Sequence, residues 1–385
     1  MLKILHIVGD SKFGGGSVIV LRLAQKANDI GWSVDILTSD AVFKEFLKNQ
    51  GCGVVELEVI WRKINPLRDL LGLYRLYRFL KKSNYTIVHT HTSKAGFVGR
   101  LAAYLAKSPI VIHTVHGFAF HEQSSLLEIY LYSFLERLAS HWCDRIVCVS
   151  EFHKKWALRL AIANKNKIIA INNGIPENRI LPSRDKGSVL KEINLTNEIV
   201  ILFTGRLAPQ KGVEYLLKSV PIIASKINMP FKILIIGEGP LRYYLDEIVE
   251  KLNIGRYVKF LGFRKDIGDL LNISDIVVFP SLWEGLSIAL LEAMAAGKPI
   301  ITTTIGSNLE VVKSEETALL VPPKNSESIA EAVIRLINNP EFAKKLGEEA
   351  KKTYQKKYTE EIMLNNYANL YFSLLKTKIK WHQNG

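Results

Sequence analysis

Short apolar runs rich in β-branched residues alternate with longer helical patterns along the whole chain, and few folds accept that alternation. The first half contains "KILHIV", "SVDILT", "GVVELEV", "TIVHT", "IVIHTV", "RIVCVS" and "KIIAIN". The second contains "EIVILFTG", "FKILIIG", "YVKFLG", "DIVVFP", "KPIITTT" and "ALLVP". Near-continuous apolar strands separated by helices of about 10–15 residues are the pattern of parallel sheets covered on both faces. At 385 residues the chain is too long for one ordinary core and suits two domains. The stretch 178–198, "NRILPSRDKGSVLKEINLTNE", loses the alternation and reads as an interdomain linker. The expected fold class is therefore α/β, with two doubly wound, Rossmann-like domains at 1–180 and 191–356 facing each other across a cleft. The amphipathic tail, 359–385, is expected to be a helix that closes back on the first domain.

Composition narrows the setting. No apolar run reaches the ~20 residues that span a bilayer. "MLKILHIVGD" turns polar too soon for a signal peptide, so the expected location is the cytoplasm. Cys52, Cys143 and Cys148 are too few and too scattered for a disulfide framework or a zinc site. Charge is unevenly placed. Residues 1–190 hold 26 basic against 15 acidic side chains, whereas residues 191–385 hold 25 against 22. A positive first half points to an anionic partner.

Three segments carry chemistry. Gly14, Gly15 and Gly16 stand before a helix expected to begin near Ser17; without side chains they let a ligand approach backbone N–H groups at a helix N-terminus. Their spacing fits neither the P-loop nor the dinucleotide fingerprint. In "LFTGRLAPQKGVEYLLKS" a strand ends at Thr204-Gly205, Arg206 follows, and Lys211-Gly212 opens the next helix. Ligands of open α/β sheets sit at the carboxyl ends of strands. A cation at a helix N-terminus is unfavourable unless an anion lies between, which a diphosphate would supply. The third segment, "PSLWEGLSIALLEAMAAGKPI", has Glu284 in the loop after a strand and Glu292 inside an apolar helix capped by Ser287 and stopped at Gly297. A buried carboxylate is costly unless hydrogen-bonded or paired. With no basic neighbour in sequence, sugar or ribose hydroxyls are the expected partners, in preference to a cation from another element.

These residues are recognisable. "FTGRLAPQKGVEYLL", "IIGEGP", "VKFLGFRKDI", "PSLWEGLSIALLEAMAAGKPII" and "TVHGFAFHE" resemble the retaining glycosyltransferases of family 4, which have the GT-B fold; the spacing of Glu284 and Glu292 is that family's mark. "VHTHTSKAGFVGRLAA" looks like enzymes that build capsular, exopolysaccharide or O-antigen chains on a lipid carrier. The resemblance implies that Arg206 and Lys211 clamp the diphosphate of a nucleotide sugar, usually a UDP-sugar. It implies that Glu292 holds the ribose, and that Glu284, aided by backbone around Gly285 and Leu286, holds the transferred sugar. Main chain near Phe263 and Arg264 would face the base, and Gly237 and Gly239 would let the backbone pass close to the nucleotide. Gly14, Gly15 and Gly16 would approach the phosphates and acceptor, and His116 would sit at the reaction centre. The implied reaction is glycosyl transfer with retention to a lipid-linked saccharide. The glycine loop departs from many relatives in lacking an acidic residue and an arginine, and Ser287 stands where proline or glycine is common. No Asp-x-Asp motif occurs, so neither a divalent metal nor a cofactor is expected.

Arg68, Arg75, Arg78 and Lys82 fall on one helical face within the basic half, with Leu70, Leu73, Leu76 and Leu80 expected inward. This stripe is expected to hold the protein on the anionic inner face of the cell membrane. Two rival readings are a nucleotide-sugar epimerase of the same fold and a non-enzymatic basic binding protein. Nucleic acid is not an expected partner, since no recognised motif supports it and the stripe has too few aromatics for single-strand stacking.

Overall fold

In a computed structural model of the chain, residues 2–9, 14–61, 63 and 65–383 are described, with side chains as far as residue 378. They form two compact units, one of residues 1–173 with 362–385 and the other of residues 174–361.

The first unit alternates β1 (Lys3–Gly9), α1 (Gly15–Asp29), β2 (Ser33–Thr38), α2 (Ala41–Asn49), β3 (Gly53–Val54), α3 (Pro66–Lys82), β4 (Ile87–His91), α4 (Ser93–Leu105), β5 (Ile110–Val115), α5 (Leu126–Ser140), β6 (Arg145–Cys148), α6 (Glu151–Arg159) and β7 (Ile168–Ala170). All strand pairs are parallel, in the order β3-β2-β1-β4-β5-β6-β7. The order reverses between β1 and β4, and such a switch point opens a crevice at the strands' carboxyl ends. Right-handed crossovers place α3 to α6 on one face of the sheet and α1 with α2 on the other. The expected strand at "GVVELEV" shrinks to two residues. It is an edge, and Glu56 and Glu58 turn to Lys44 and Lys48 on α2 instead of continuing the ladder.

The second unit contains α7 (Lys186–Glu192), β8 (Ile199–Thr204), α8 (Val213–Lys226), β9 (Phe231–Ile236), α9 (Arg242–Lys251), β10 (Val258–Gly262), α10 (Ile267–Ile273), β11 (Ile276–Phe279), α11 (Ile288–Ala295), β12 (Ile300–Thr303), α12 (Gly306–Val311), β13 (Leu319–Val321), α13 (Ser326–Asn338) and α14 (Pro340–Lys357). Its parallel sheet runs β10-β9-β8-β11-β12-β13, with the switch point between β8 and β11. Helix α15 (Glu360–Gln383) then carries the chain back to the first unit. There Tyr371 Oη is hydrogen-bonded to His89 Nδ1 at 2.7 Å, and Phe372 packs edge-on against Trp32.

The expected linker is folded structure, and the division lies at residue 173 rather than near 180. A 3-10 turn at Glu177–Ile180 and helix α7 pack against α10. Asp269, almost fully buried, accepts from the backbone N–H of Ser183 and Arg184, and its Oδ2 accepts from Arg184 Nε at 2.9 Å. This stretch docks through polar contacts, which leave no apolar periodicity to read.

Candidate functional site

The loops at the carboxyl edge of the second sheet are locked together by backbone. Gly212 starts α8 with φ of 59°, and a Cβ there would stand 2.1 Å from the Pro280 carbonyl oxygen. Leu282 N donates to Gln210 O at 2.8 Å. The loop after β11 is thereby held against the turn before α8, and Lys211 Nζ meets Glu284 Oε1 at 2.5 Å. Glu284 also accepts from Gln210 Nε2 at 3.0 Å and Ser281 Oγ at 2.9 Å. Glu284 is thus one anion beside Lys211. Arg206 lies exposed one residue beyond Gly205, and the stem of Lys211 runs over that glycine, where a Cβ would be 3.5 Å from Lys211 Cε. Among the described residues no hydrogen bond or ion pair engages the Arg206 guanidinium.

Helix α11 is capped by Ser287, whose Oγ accepts from Leu290 N. It buries Glu292, whose Oε1 is paired with Arg179 Nε. The less favoured alternative, a cation from another element, is therefore present, as an arginine. Arg179 lies in the stretch read as a linker, 113 residues away, and nothing in the sequence joins the two. Burial pushes the Glu292 carboxyl above its usual range, while Arg179 and, by charge alone, Lys211 draw it down. Removing one partner of a buried pair leaves an uncompensated charge. Since Arg179 is about a third exposed, Arg179→Ala is expected to cost roughly 1–3 kcal/mol. Adding Glu292→Gln should recover most of that loss in chemical denaturation. Equal and additive costs would show that the two side chains do not act as a pair.

Gly237 and Gly239 also have a reason within the fold. Gly237 has φ of 128°, and Cβ atoms at these positions would stand 2.0 Å from Gly205 O and 2.2 Å from Leu207 O. They let the loop after β9 lie against the loop after β8, where Leu207 N donates to Glu238 O at 2.9 Å. Gly237 N donates to Gly262 O at 2.8 Å, which joins the loop after β10 to the same edge. Phe263 is 60% exposed there. The Arg264 guanidinium is turned into a network with Asp266 and Glu192. Leu286 is buried beside the helix entrance and Gly285 is partly exposed. The loops carrying Arg206, Lys211, Gly237, Phe263 and Glu284 thus share one edge, with Glu292 beneath.

In the first unit α1 begins at Gly15, two residues earlier than expected, with Gly14 extended before it. Residues 10–13 of the glycine loop lie outside the described residues. A Cβ on Gly16 would rest 3.6 Å from the His116 ring. His116 ends a row of imidazoles that crosses three adjacent strands. His6 Nδ1 is hydrogen-bonded to His91 Nε2 at 2.9 Å, and His91 Nδ1 to His116 Nε2 at 3.1 Å. Burial keeps them neutral, with His6 lowered to about 3, His116 to about 4, and His89, His91 and His113 well below the usual histidine range. His6, His89 and His91 bring ligand-type nitrogens within 4.8 Å of one another. They fit a metal poorly, because His89 spends both nitrogens on Tyr371 and Thr114, and His91 both on other histidines. His113 is hydrogen-bonded to Thr90 Oγ1 and pressed against Gly96, a packing role.

The model of glycosyl transferases group 1 matches residues 188–353, and that of glycosyltransferase family 4 matches residues 13–179. An Escherichia coli protein, UDP-Gal:alpha-D-GlcNAc-diphosphoundecaprenol alpha-1,3-galactosyltransferase, is 35% identical over 72% of this chain and 73% of its own length. The chain belongs to glycosyltransferase family 4. The capsular polysaccharide biosynthesis glycosyltransferase CapM of Staphylococcus aureus is 27% identical over 97% of this chain and 98% of its own. Among solved structures, Anabaena HepE in complex with UDP and glucose superposes with a TM-score of 0.84 at 21% identity. It covers 97% of this chain and all of that one, which establishes the GT-B fold.

Proposed function

We propose that this glycosyltransferase moves a sugar from a UDP-sugar to a lipid-linked saccharide, with retained anomeric configuration, in the building of a cell-surface polysaccharide. The observation that carries the reading is the gathering of Lys211, Glu284 and Glu292, with Arg206 beside them, at the carboxyl edge of the second sheet. Arg206 and Lys211 would stabilise charge growing on the departing diphosphate, the kind of preorganised electrostatic help that dominates many enzymes. Glu292 would accept from the ribose hydroxyls and Glu284 from those of the sugar. The exposed Phe263, with the main chain at Arg264, Gly237 and Gly239, is assigned to the base and nucleotide. Backbone at Gly285 and Leu286 is assigned to the sugar. Gly14, Gly15, Gly16 and His116 are assigned to the acceptor side. With two cations available for the phosphates, the reaction is proposed to need no divalent metal. A UDP-sugar donor and a lipid-linked acceptor are both in the name of the Escherichia coli relative, and the HepE structure holds UDP and glucose.

UDP release measured with and without a diphospholipid-linked saccharide, in the presence and absence of chelator, tests this. Acceptor-dependent, chelator-insensitive release is the expected result. Conversion of the nucleotide sugar alone would mean an epimerase, and no turnover of either kind would leave a basic binding protein.

No helix among the described residues is long and apolar enough to cross a membrane. Arg68, Arg75, Arg78 and Lys82 are all exposed on α3, and we assign them to an anionic membrane surface. At about 1 kcal/mol per cation, neutralising all four should weaken binding to anionic vesicles by roughly a thousandfold. Full retention would reject the assignment.

A further inference from the structure

Helix α5 carries an apolar stripe on its outer face. Its buried positions are Ser133, Glu136, Ala139 and Ser140. Leu126, Leu127, Tyr130, Leu131 and Phe134 are each 50–85% exposed. A surface helix of a water-soluble protein ordinarily turns its apolar stripe inward. Here the inward side carries Ile129 and Tyr132 packed on the core together with a polar anchor, since Glu136 accepts from the fully buried Arg100 of α4 at 2.8 Å, and Arg100 Nε donates to Gly96 O. The ion pair and this core packing together hold the helix in this orientation, so the outward leucines are not an accident of a loosely packed element.

The same layer of the first unit continues the pattern. Helix α4 lies between α3 and α5 and packs on both. It exposes Tyr104 and Leu105 at its end, and α3 exposes Leu67, Leu70, Leu71 and Tyr74. Leu70 was expected inward; Leu76 and Leu80 are the ones buried. Exposed apolar patches beyond a few hundred Å² mark interaction sites. The charge beside the patch decides what fits. On α3 the leucines stand next to Arg68, Arg75, Arg78 and Lys82, which would face their own copies in a symmetric dimer of this surface. An anionic lipid surface complements the cations and accepts leucine and tyrosine at the boundary between headgroup and acyl chain.

We infer that α5 is an insertion helix, entering the acyl boundary of the membrane while the α3 cations hold lipid headgroups. This rests on the assignment of the α3 cations to a membrane, and it adds an apolar contribution that charge alone does not provide. The two contributions separate by salt, because at about 1 M the Debye length falls to about 3 Å and surface attraction is screened.

The test is co-sedimentation of the full chain with phosphatidylcholine vesicles, with and without phosphatidylglycerol, at low and high salt. Leu127→Gln/Leu131→Gln adds no charge at two exposed positions and should leave the thermal midpoint unchanged. It is expected to bind at least about tenfold more weakly to both kinds of vesicle, including at high salt. The fourfold cation variant should lose only the salt-sensitive part. Unchanged vesicle binding by the leucine variant would overturn the inference. So would a dimer of the parent protein in sedimentation velocity that the variant abolishes while vesicle binding persists. Vesicle binding needs no nucleotide sugar, so loss of donor turnover alone would count against the transferase reading and not against this one.

Discussion

Lys211→Ala is expected to lower kcat/KM by about 10²–10³-fold, the size of effect seen when one preorganised donor to a developing oxyanion is removed. A second consequence follows from the geometry. Lys211 and Glu284 are 17% and 6% exposed, and their ion pair sits at the entrance of α8 and near that of α11. Deleting the lysine leaves a buried carboxylate with Gln210 and Ser281 as its remaining partners. The single variant should therefore also be less stable, by up to about 3–5 kcal/mol. Lys211→Ala/Glu284→Gln separates the two effects. The double variant should regain the thermal midpoint without regaining activity, because the lone buried charge is gone while the cation assigned to the phosphates and the carboxylate assigned to the sugar are both still missing. Recovery of activity together with stability would mean that Lys211 acts only as a structural partner of Glu284.

The second large effect concerns acid. His6 and His116 have pKa values of about 3 and 4 in the folded protein, lowered by burial, against about 6.5 in an unfolded chain. The unfolded state then binds protons that the folded state refuses, so stability is intact above about pH 6.5 and falls as pH drops toward the folded values. At pH 5 each of the two costs about 2 kcal/mol. His89, His91 and His113 act in the same direction. Against a total of about 5–15 kcal/mol for a domain, the first unit should be close to unfolding by pH 5. Glu292, pushed upward by burial, works in the opposite direction in the second unit. Urea denaturation at pH 7.5 and pH 5, followed by tryptophan fluorescence, measures this. His6→Phe, which removes one neutral imidazole, should flatten the pH dependence even if it lowers stability at pH 7.5. Equal stability at the two pH values would mean that these histidines are charged in the folded protein.

Much of the fold was legible because burial on both faces of a parallel sheet demands near-continuous apolar strands. All thirteen strand regions read from the sequence contain strands in the structure, and the two most shortened, "GVVELEV" and "KIIAIN", are the two edges of the first sheet. The candidate site was legible where one loop carries its own chemistry. Arg206 leaves a strand end, Lys211 precedes the glycine that opens a helix, and Glu284 and Glu292 flank a capped apolar segment. Glycine positions were legible too, though at Gly237 and Gly239 the close approach is of backbone to backbone.

What the sequence determined by itself is the local inventory: strands, caps, breakers, and which side chains stand at the carboxyl ends of which strands. Those follow from bonded geometry and from periodicity over a few residues. Tertiary structure alone decided the partners, such as Arg179 for Glu292 across 113 residues and Glu284 for Lys211 across 73. It alone also decided which face of an amphipathic helix looks outward. For α5 the outward stripe has the spacing of an ordinary core-facing helix, and contacts with distant residues, Arg100 against Glu136 and the core against Ile129 and Tyr132, leave it on the outside. Pairings between distant segments and the orientation of a helix depend on what lies opposite, and no local pattern records that.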